Sequence, residues 1–353
     1  MRPTNPLRGV SYALRRRLLV TLALLVIGAL LIAGCKKNAN TGNTGSANGG
    51  NTNGVSDAGN TNDNPEILKK QADEQGQATR PDRGNFTVQY SEVRDPQFAE
   101  INERFKQQHF LESIADELNA TIAIPENVAI TFRECGVPNA FWDPQSRSIN
   151  MCYELMAQMA QDFREVARTP EELNRMVSGA MTFAFIHELG HCLIDVLSLP
   201  STGREEDAVD QLSTFVLVAL NGEEGEQMAI RGALYWAIQY DRIAKSGKTA
   251  GELNMVWADE HSMSAQRFYN IVCWVYGHNP EKYTRMINNP LPEQRAVRCP
   301  TEYTKLATSW LKLLKPYLKD GGARASQHTH PMSGDQGGMG GAPQAPGDDH
   351  SEH

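Results

Sequence analysis

Hydrophobic and polar positions divide the chain into segments with different periodicities. From Phe86 to Tyr90 they alternate, the signature of a strand, and Val128 to Phe132 predicts a second. Between Asp95 and Asn119, Phe98, Ile101, Phe105, Phe110, Leu111, Ile114 and Leu118 recur at helical spacing and predict one helix, in which His109 reads as structural. Asn139 to Trp142 and Ser148 to Tyr153 are β-like runs joined by Asp143-Pro144-Gln145-Ser146, a turn by composition, so a hairpin is predicted. Helices follow over Tyr153 to Val166, Thr169 to about Leu197, the stretch after Arg204, Glu226 to Ala244, and Ser264 to Tyr276. Thr169-Pro170-Glu171-Glu172 is a complete helix start, with a capping hydroxyl, a first-turn proline and an acid three residues past the cap. Many helices with few strands predict an α+β domain, mostly helical, with a small N-terminal sheet or hairpin, over residues 83–320.

One helix carries the chemistry. Phe183 to Asp195 reads FAFIHELGHCLID. His187 and His191 are four residues apart, so both rings leave one helix face on adjacent turns and can grip one tetrahedral Zn2+. Glu188 is placed to reach a water beside that metal. The flanks are apolar, and a buried polar trio needs a reason. Gly190 costs up to about 1 kcal/mol against alanine in a helix, which a backbone passing close by would explain.

A catalytic zinc needs a third protein ligand and one position left for water. Glu206, Asp210, Ser213, Leu217 and Leu220 share one helical stripe, so its two acids point where the apolar residues point. Zinc is the positive charge that makes such burial tolerable. Glu206 is therefore the expected ligand, and Asp210 the acceptor that fixes a histidine tautomer. Glu205 is expected to point elsewhere, as a solvated first-turn acid. The oxyanion of a tetrahedral intermediate needs a partner. His261, at a helix entry beside Asp259 and Glu260, is the first candidate, against the plainer reading of a capping histidine; Tyr153 and Arg267 are weaker ones.

The two ends differ from this domain. Leu18 to Ala33 is an apolar run behind Arg2, Arg8 and Arg15 to Arg17, and ends in Ile32-Ala33-Gly34-Cys35. This resembles the bacterial lipoprotein signal, which implies cleavage of residues 1–34, lipidation of Cys35 and attachment to the cell envelope; the plainer reading is a simple membrane anchor with an incidental Cys35, and either one tethers the domain outside the cytoplasm. Lys36 after the cysteine favours the outer membrane by the same resemblance. Residues 35–82 are rich in Asn, Gly, Thr and Ser and read as a tether; residues 321–353, rich in Gly, Pro and His, read as a disordered tail. Outside the cytoplasm cysteines pair. Cys135 and Cys152, near the open end of the hairpin, are expected to bond, as are Cys273 and Cys299, leaving Cys192 a buried thiol. With net charge −8 and no basic patch, nothing supports a nucleic-acid partner.

HExxH followed by ExxxD resembles the gluzincin clan typified by thermolysin. More narrowly, Glu134-Cys135-Gly136, Asn139-Ala140-Phe141-Trp142, Cys152 to Leu155, HELGH, Gly203 to Ala208 with Asp210-Gln211, and Asp259-Glu260-His261-Ser262 resemble a bacterial zinc metallopeptidase family catalogued under a domain of unknown function. The resemblance implies a zincin-like fold, one zinc per chain and a peptide or protein substrate. It also implies a strand edge beside the metal that pairs with substrate, for which Asn139, Ala140 and Phe141 are the candidates, although an ordinary core hairpin fits them too. The spacing from His191 to Glu206 is tighter than in thermolysin. The competing reading is a non-catalytic envelope lipoprotein with structural zinc. Substrate, oligomeric state and endo- or exo-action are not readable.

Overall fold

The computed structural model describes residues 82–220, 222–245 and 262–319. The signal segment, nearly all of the tether, His261 and the C-terminal tail lie outside them.

β1 (Phe86–Val88) and β2 (Val128–Arg133) pair in parallel, joined by α1 (Pro96–Gln107) and α2 (Phe110–Thr121). β3 (Ala140–Asp143) and β4 (Ser148–Cys152) form the antiparallel hairpin, and the sheet order β1-β2-β4-β3 leaves β3 on an edge. Then come α3 (Tyr153–Phe163), α4 (Pro170–Val196), α5 (Glu205–Leu220), α6 (Gly222–Lys245), α7 (Ser264–His278), α8 (Glu293–Ala296) and α9 (Cys299–Leu314). The fold is α+β, mostly helical beside a small mixed sheet.

Local chemistry explains several of these elements. The Asp143 carboxylate accepts from Gln145 N–H at 2.9 Å and from the Ser146 hydroxyl at 2.7 Å, which closes the hairpin turn. Thr169 Oγ1 accepts from Glu172 N–H at 3.1 Å, and Glu172 in turn accepts from Arg168 N–H at 2.9 Å, starting α4. One expectation is corrected. The stretch 95–119 is two helices, because His109 adopts left-handed backbone at φ 50°. The break swings Phe110 back onto Phe105, their ring centroids 4.6 Å apart, and Phe105 packs on Phe132 of β2. Helical periodicity survives such a kink, so the apolar pattern cannot report it.

α4 is buried on nearly every side, by α3, α5, α6 and the hairpin. By length and composition it could cross a membrane, but here it is the core helix of the domain. Disulfides join Cys135 to Cys152, which ties the loop before β3 to the end of β4, and Cys273 to Cys299, which ties α7 to α9. Cys192 is a buried free thiol, and burial raises its pKa.

The reason for Gly190 also differs from expectation. What passes close is a side chain, not a backbone: a Cβ on Gly190 would stand 2.7 Å from Val209 Cγ1 of α5. Gly190→Ala gains helix propensity but overpacks this crossing. It is expected to destabilise the protein by about 1–3 kcal/mol, and Gly190→Ala with Val209→Ala by less than the sum of the two singles, read by urea denaturation.

Candidate metal centre

α4 and α5 cross at Gly190, which brings Glu206 in the first turn of α5 against both histidines of α4. Glu206 Oε2 lies 3.0 Å from His187 Nε2, and Oε1 lies 3.3 Å from His191 Nε2. The ligand atoms of the three side chains lie within 4.8 Å of one another. Tetrahedral zinc with N and O ligands at about 2.1 Å places neighbouring ligand atoms about 3.4 Å apart, so the spacing fits. The chemistry fits as well. Each histidine uses its other nitrogen: His187 Nδ1 contacts Asp210 Oδ1 at 2.9 Å, and His191 Nδ1 contacts Glu205 Oε1 at 2.7 Å. In the neutral rings both Nδ1 atoms then carry the hydrogen, and both Nε2 lone pairs face a carboxylate. Lone pairs cannot face a carboxylate at 3 Å unless a cation or a proton sits between them.

The second layer is charged in alternation. Asp210 is 2% exposed and receives a two-pronged contact from Arg267, Nε to Oδ2 and Nη2 to Oδ1, both at 2.7 Å. The guanidinium in turn lies 3.6 Å from the ring centroid of Trp236. Burial alone would push the Asp210 carboxyl up, but Arg267 and His187 hold it at about 2. Burial likewise opposes charge on the histidines, yet their carboxylate partners outweigh it: His187 is raised, and His191 is raised to about 9. Glu188, buried beside them, is raised chiefly by burial. Its Oε2 accepts from the backbone N–H of Trp142 on β3 at 3.0 Å. The Trp142 indole donates to Asp195, one turn past the second histidine, at 3.0 Å. The edge strand is thereby held against α4 at two points.

Two clefts meet at Glu188, both bounded by Asn139 and Ala140. One, about 420 Å³, runs past His187 between α3, α4 and α6; the other, about 550 Å³, runs past His191, Glu205 and Glu206 along Phe141 and Trp142.

Several expected residues are thus brought together: His187, Glu188, His191, Glu206, Asp210 and the β3 edge. Glu205 does not point away; it contacts the second histidine, because the first turn of α5 lies across α4 and both glutamates meet it. Tyr153 is spent in the core, stacked on Phe98 with its hydroxyl donating to Asn102. Arg267 has two nitrogens committed to Asp210 behind His187, and it also lines the cleft on the His187 side. Its place was signalled: Arg267 falls on the stripe of α7 that carries Ile271, Trp274 and Val275 into the core. The Trp142 N–H, being backbone, carried no signal. A second grouping, Cys135, Cys152 and Glu154, is explained by the disulfide and by Glu154 accepting from the N–H groups of Cys135 and Gly136.

An α+β domain with an HExxH helix, a converging glutamate and an edge strand across the site defines the metallopeptidase class. Residues 90–314, more than half of the chain, match the model of a family described as "Putative metallopeptidase", and the chain belongs to that family. Membership implies a metal ion and a peptide or protein substrate. No curated protein and no solved structure matches the chain.

The raised histidines make metal and proton competitors, since ligation requires neutral imidazole. In the metal-free protein His191 keeps its proton up to about pH 9. Zinc binding at pH 7 is therefore expected to release protons, and affinity to rise with pH until about 9. Titration calorimetry in buffers of different ionisation heat measures this; affinity independent of pH between 6 and 9 contradicts it.

Proposed function

We propose that the protein is a zinc-dependent peptidase held at the cell envelope by a lipid on Cys35. The observation that carries the reading is Glu188, a buried carboxylate next to His187 that spans the gap to the edge strand. His187, His191 and Glu206 would hold one zinc ion, and zinc, when bound, supplies Lewis-acid polarisation of the peptide carbonyl and acidifies water.

Glu188 takes the proton from the attacking water and delivers it to the leaving amine. Asp210 and Glu205 hold the two histidines in the tautomer that offers Nε2. β3 receives the substrate backbone. Cys152 N–H donates to Asn139 C=O, so Asn139, Phe141 and Asp143 face β4, whereas Ala140 and Trp142 turn their backbone groups outward. The Trp142 N–H is taken by Glu188, which leaves Ala140 to pair with an extended peptide, as an unpaired strand edge can. The two clefts then receive the residues on either side of the scissile bond. His261 is our candidate for stabilising the oxyanion.

The two disulfides suit an oxidising compartment, and the signal-like N-terminus ending in Cys35 supplies the anchor. A purely structural zinc site has no use for Glu188, which weighs against a binding lipoprotein without activity.

Glu188→Gln is expected to keep bound metal and lower peptide hydrolysis by about 10²–10⁴-fold, measured by metal analysis beside a casein or peptide-library assay with and without chelator. Hydrolysis unchanged by the substitution would rule the mechanism out. Cys35→Ala is expected to abolish incorporation of a labelled fatty acid into the protein, read by metabolic labelling; a parent protein that does not take up the label rules out the lipid on Cys35.

A further inference from the structure

The cavity on the His187 side of Glu188 holds a polar group that peptide hydrolysis does not use. α6 presents one stripe to it: Gly232, Tyr235, Trp236, Gln239 and Ile243. Gly232 lets α6 close on α4, since a Cβ there would stand 2.6 Å from Phe183 Cγ. Opposite, Leu155 and Met159 of α3 and Ala180 and Ala184 of α4 are apolar, while Ser262, Ser264 and Arg267, in and just before α7, add polar groups at another side. On the α6 wall the polar amide is Gln239, about one helical turn, or ~5 Å, along α6 from Trp236.

The Gln239 amide is fixed in orientation. Its Nε2 donates to Asp162 Oδ2 at 2.7 Å. Asp162 is fully buried, and also accepts from Gln158 at 2.6 Å and pairs with Arg242. An ionised carboxylate only accepts, so the amide nitrogen must be the end facing Asp162. The carbonyl oxygen is the end left to serve the cavity, an acceptor on an apolar wall.

We infer that this cavity takes the substrate side chain next to the scissile bond and that Gln239 makes it select an aromatic ring bearing a donor at its tip, tyrosine over phenylalanine. The inference rests on the peptidase reading, because it is His187 and Glu188 at the mouth of the cavity that place the scissile bond there. About 420 Å³ lies at the lower end of ligand-pocket volumes of ~300–1,000 Å³, room for one large side chain but not for a long extended segment. Lysine is disfavoured by the Arg267 guanidinium, which also lines the cavity, and by the apolar walls. Small side chains leave the cavity unfilled and the Gln239 oxygen unpaired. Phenylalanine fills it but leaves the oxygen unpaired. Tyrosine meets both demands.

The test uses the full chain and a peptide mixture in which cleavage sites are read by mass spectrometry. Peptides differing only in tyrosine or phenylalanine beside the cleaved bond are expected to differ by about tenfold in kcat/KM, the size of one neutral hydrogen bond. Gln239→Met is expected to bring that ratio to about one. Ala184→Leu, on a different helix, is expected to shift cleavage from aromatic to small side chains, so the cavity is tested even if Gln239→Met folds poorly. Binding of the same two labelled peptides to Glu188→Gln, read by fluorescence anisotropy, gives a readout that does not need turnover. Cleavage with no tyrosine preference, or a preference that Gln239→Met leaves intact, overturns the inference and leaves the peptidase standing. Cleavage of no peptide overturns the peptidase, and the binding ratio alone then decides the cavity's selectivity.

Discussion

Everything at the centre depends on how closely α5 can approach α4. At Gly190 the missing side chain admits Val209, and the two helices meet with no room for a methyl group between them. That contact fixes where α5 begins relative to the histidines. Glu206, a turn before Val209, then falls between the two Nε2 atoms, Glu205 reaches the outer face of His191, and Asp210 reaches the inner face of His187. Three carboxylates from one short stretch of α5 thus surround two rings from one stretch of α4. Moving the crossing by a fraction of an ångström would disturb all four contacts together, because interiors are close-packed and transmit displacement.

The same crowding demands charge balance. Buried ions are tolerated only when each meets its opposite, and here the signs alternate outward: the candidate metal site, Glu206 and the histidines around it, Asp210 behind His187, then Arg267, then the Trp236 ring. Arg267 has two consequences. It keeps Asp210 ionised despite full burial, and it partly offsets the carboxylate charge that raises the pKa of His187. Glu188 lies beside the two histidines and Glu206, and the strand donates a hydrogen bond to it through the Trp142 N–H.

Legibility followed the range of the interaction. The four-residue spacing of His187 and His191, the Thr169 cap and the Asp143 turn all act within a few residues, so composition and period reported them. The acids of α5 were legible too, because a charged residue on an apolar stripe breaks a local rule. Arg267 breaks the same rule on α7, but naming its partner required knowing that α7 packs behind α4. The helix break at His109 was hidden, since a left-handed residue leaves the apolar period nearly intact. Tyr153 misled for a related reason: a tyrosine beside a motif reads as available until the ring it stacks on is known.

The order of residues thus determined the chemistry on offer: a pair of imidazoles at one spacing, a carboxylate next to them, acids where apolar side chains belong, cysteines in numbers that pair, and an amphipathic skeleton of helices. Each is a property of neighbours along the chain, where geometry is set by the helical repeat. Tertiary structure decided which acid meets which nitrogen, that Glu205 contacts His191, that a backbone N–H from an edge strand holds Glu188, and that Gln239 lines a cavity with its amide nitrogen on Asp162. These depend on crossings between helices far apart in sequence, where a single missing Cβ sets the distance and no periodicity records it.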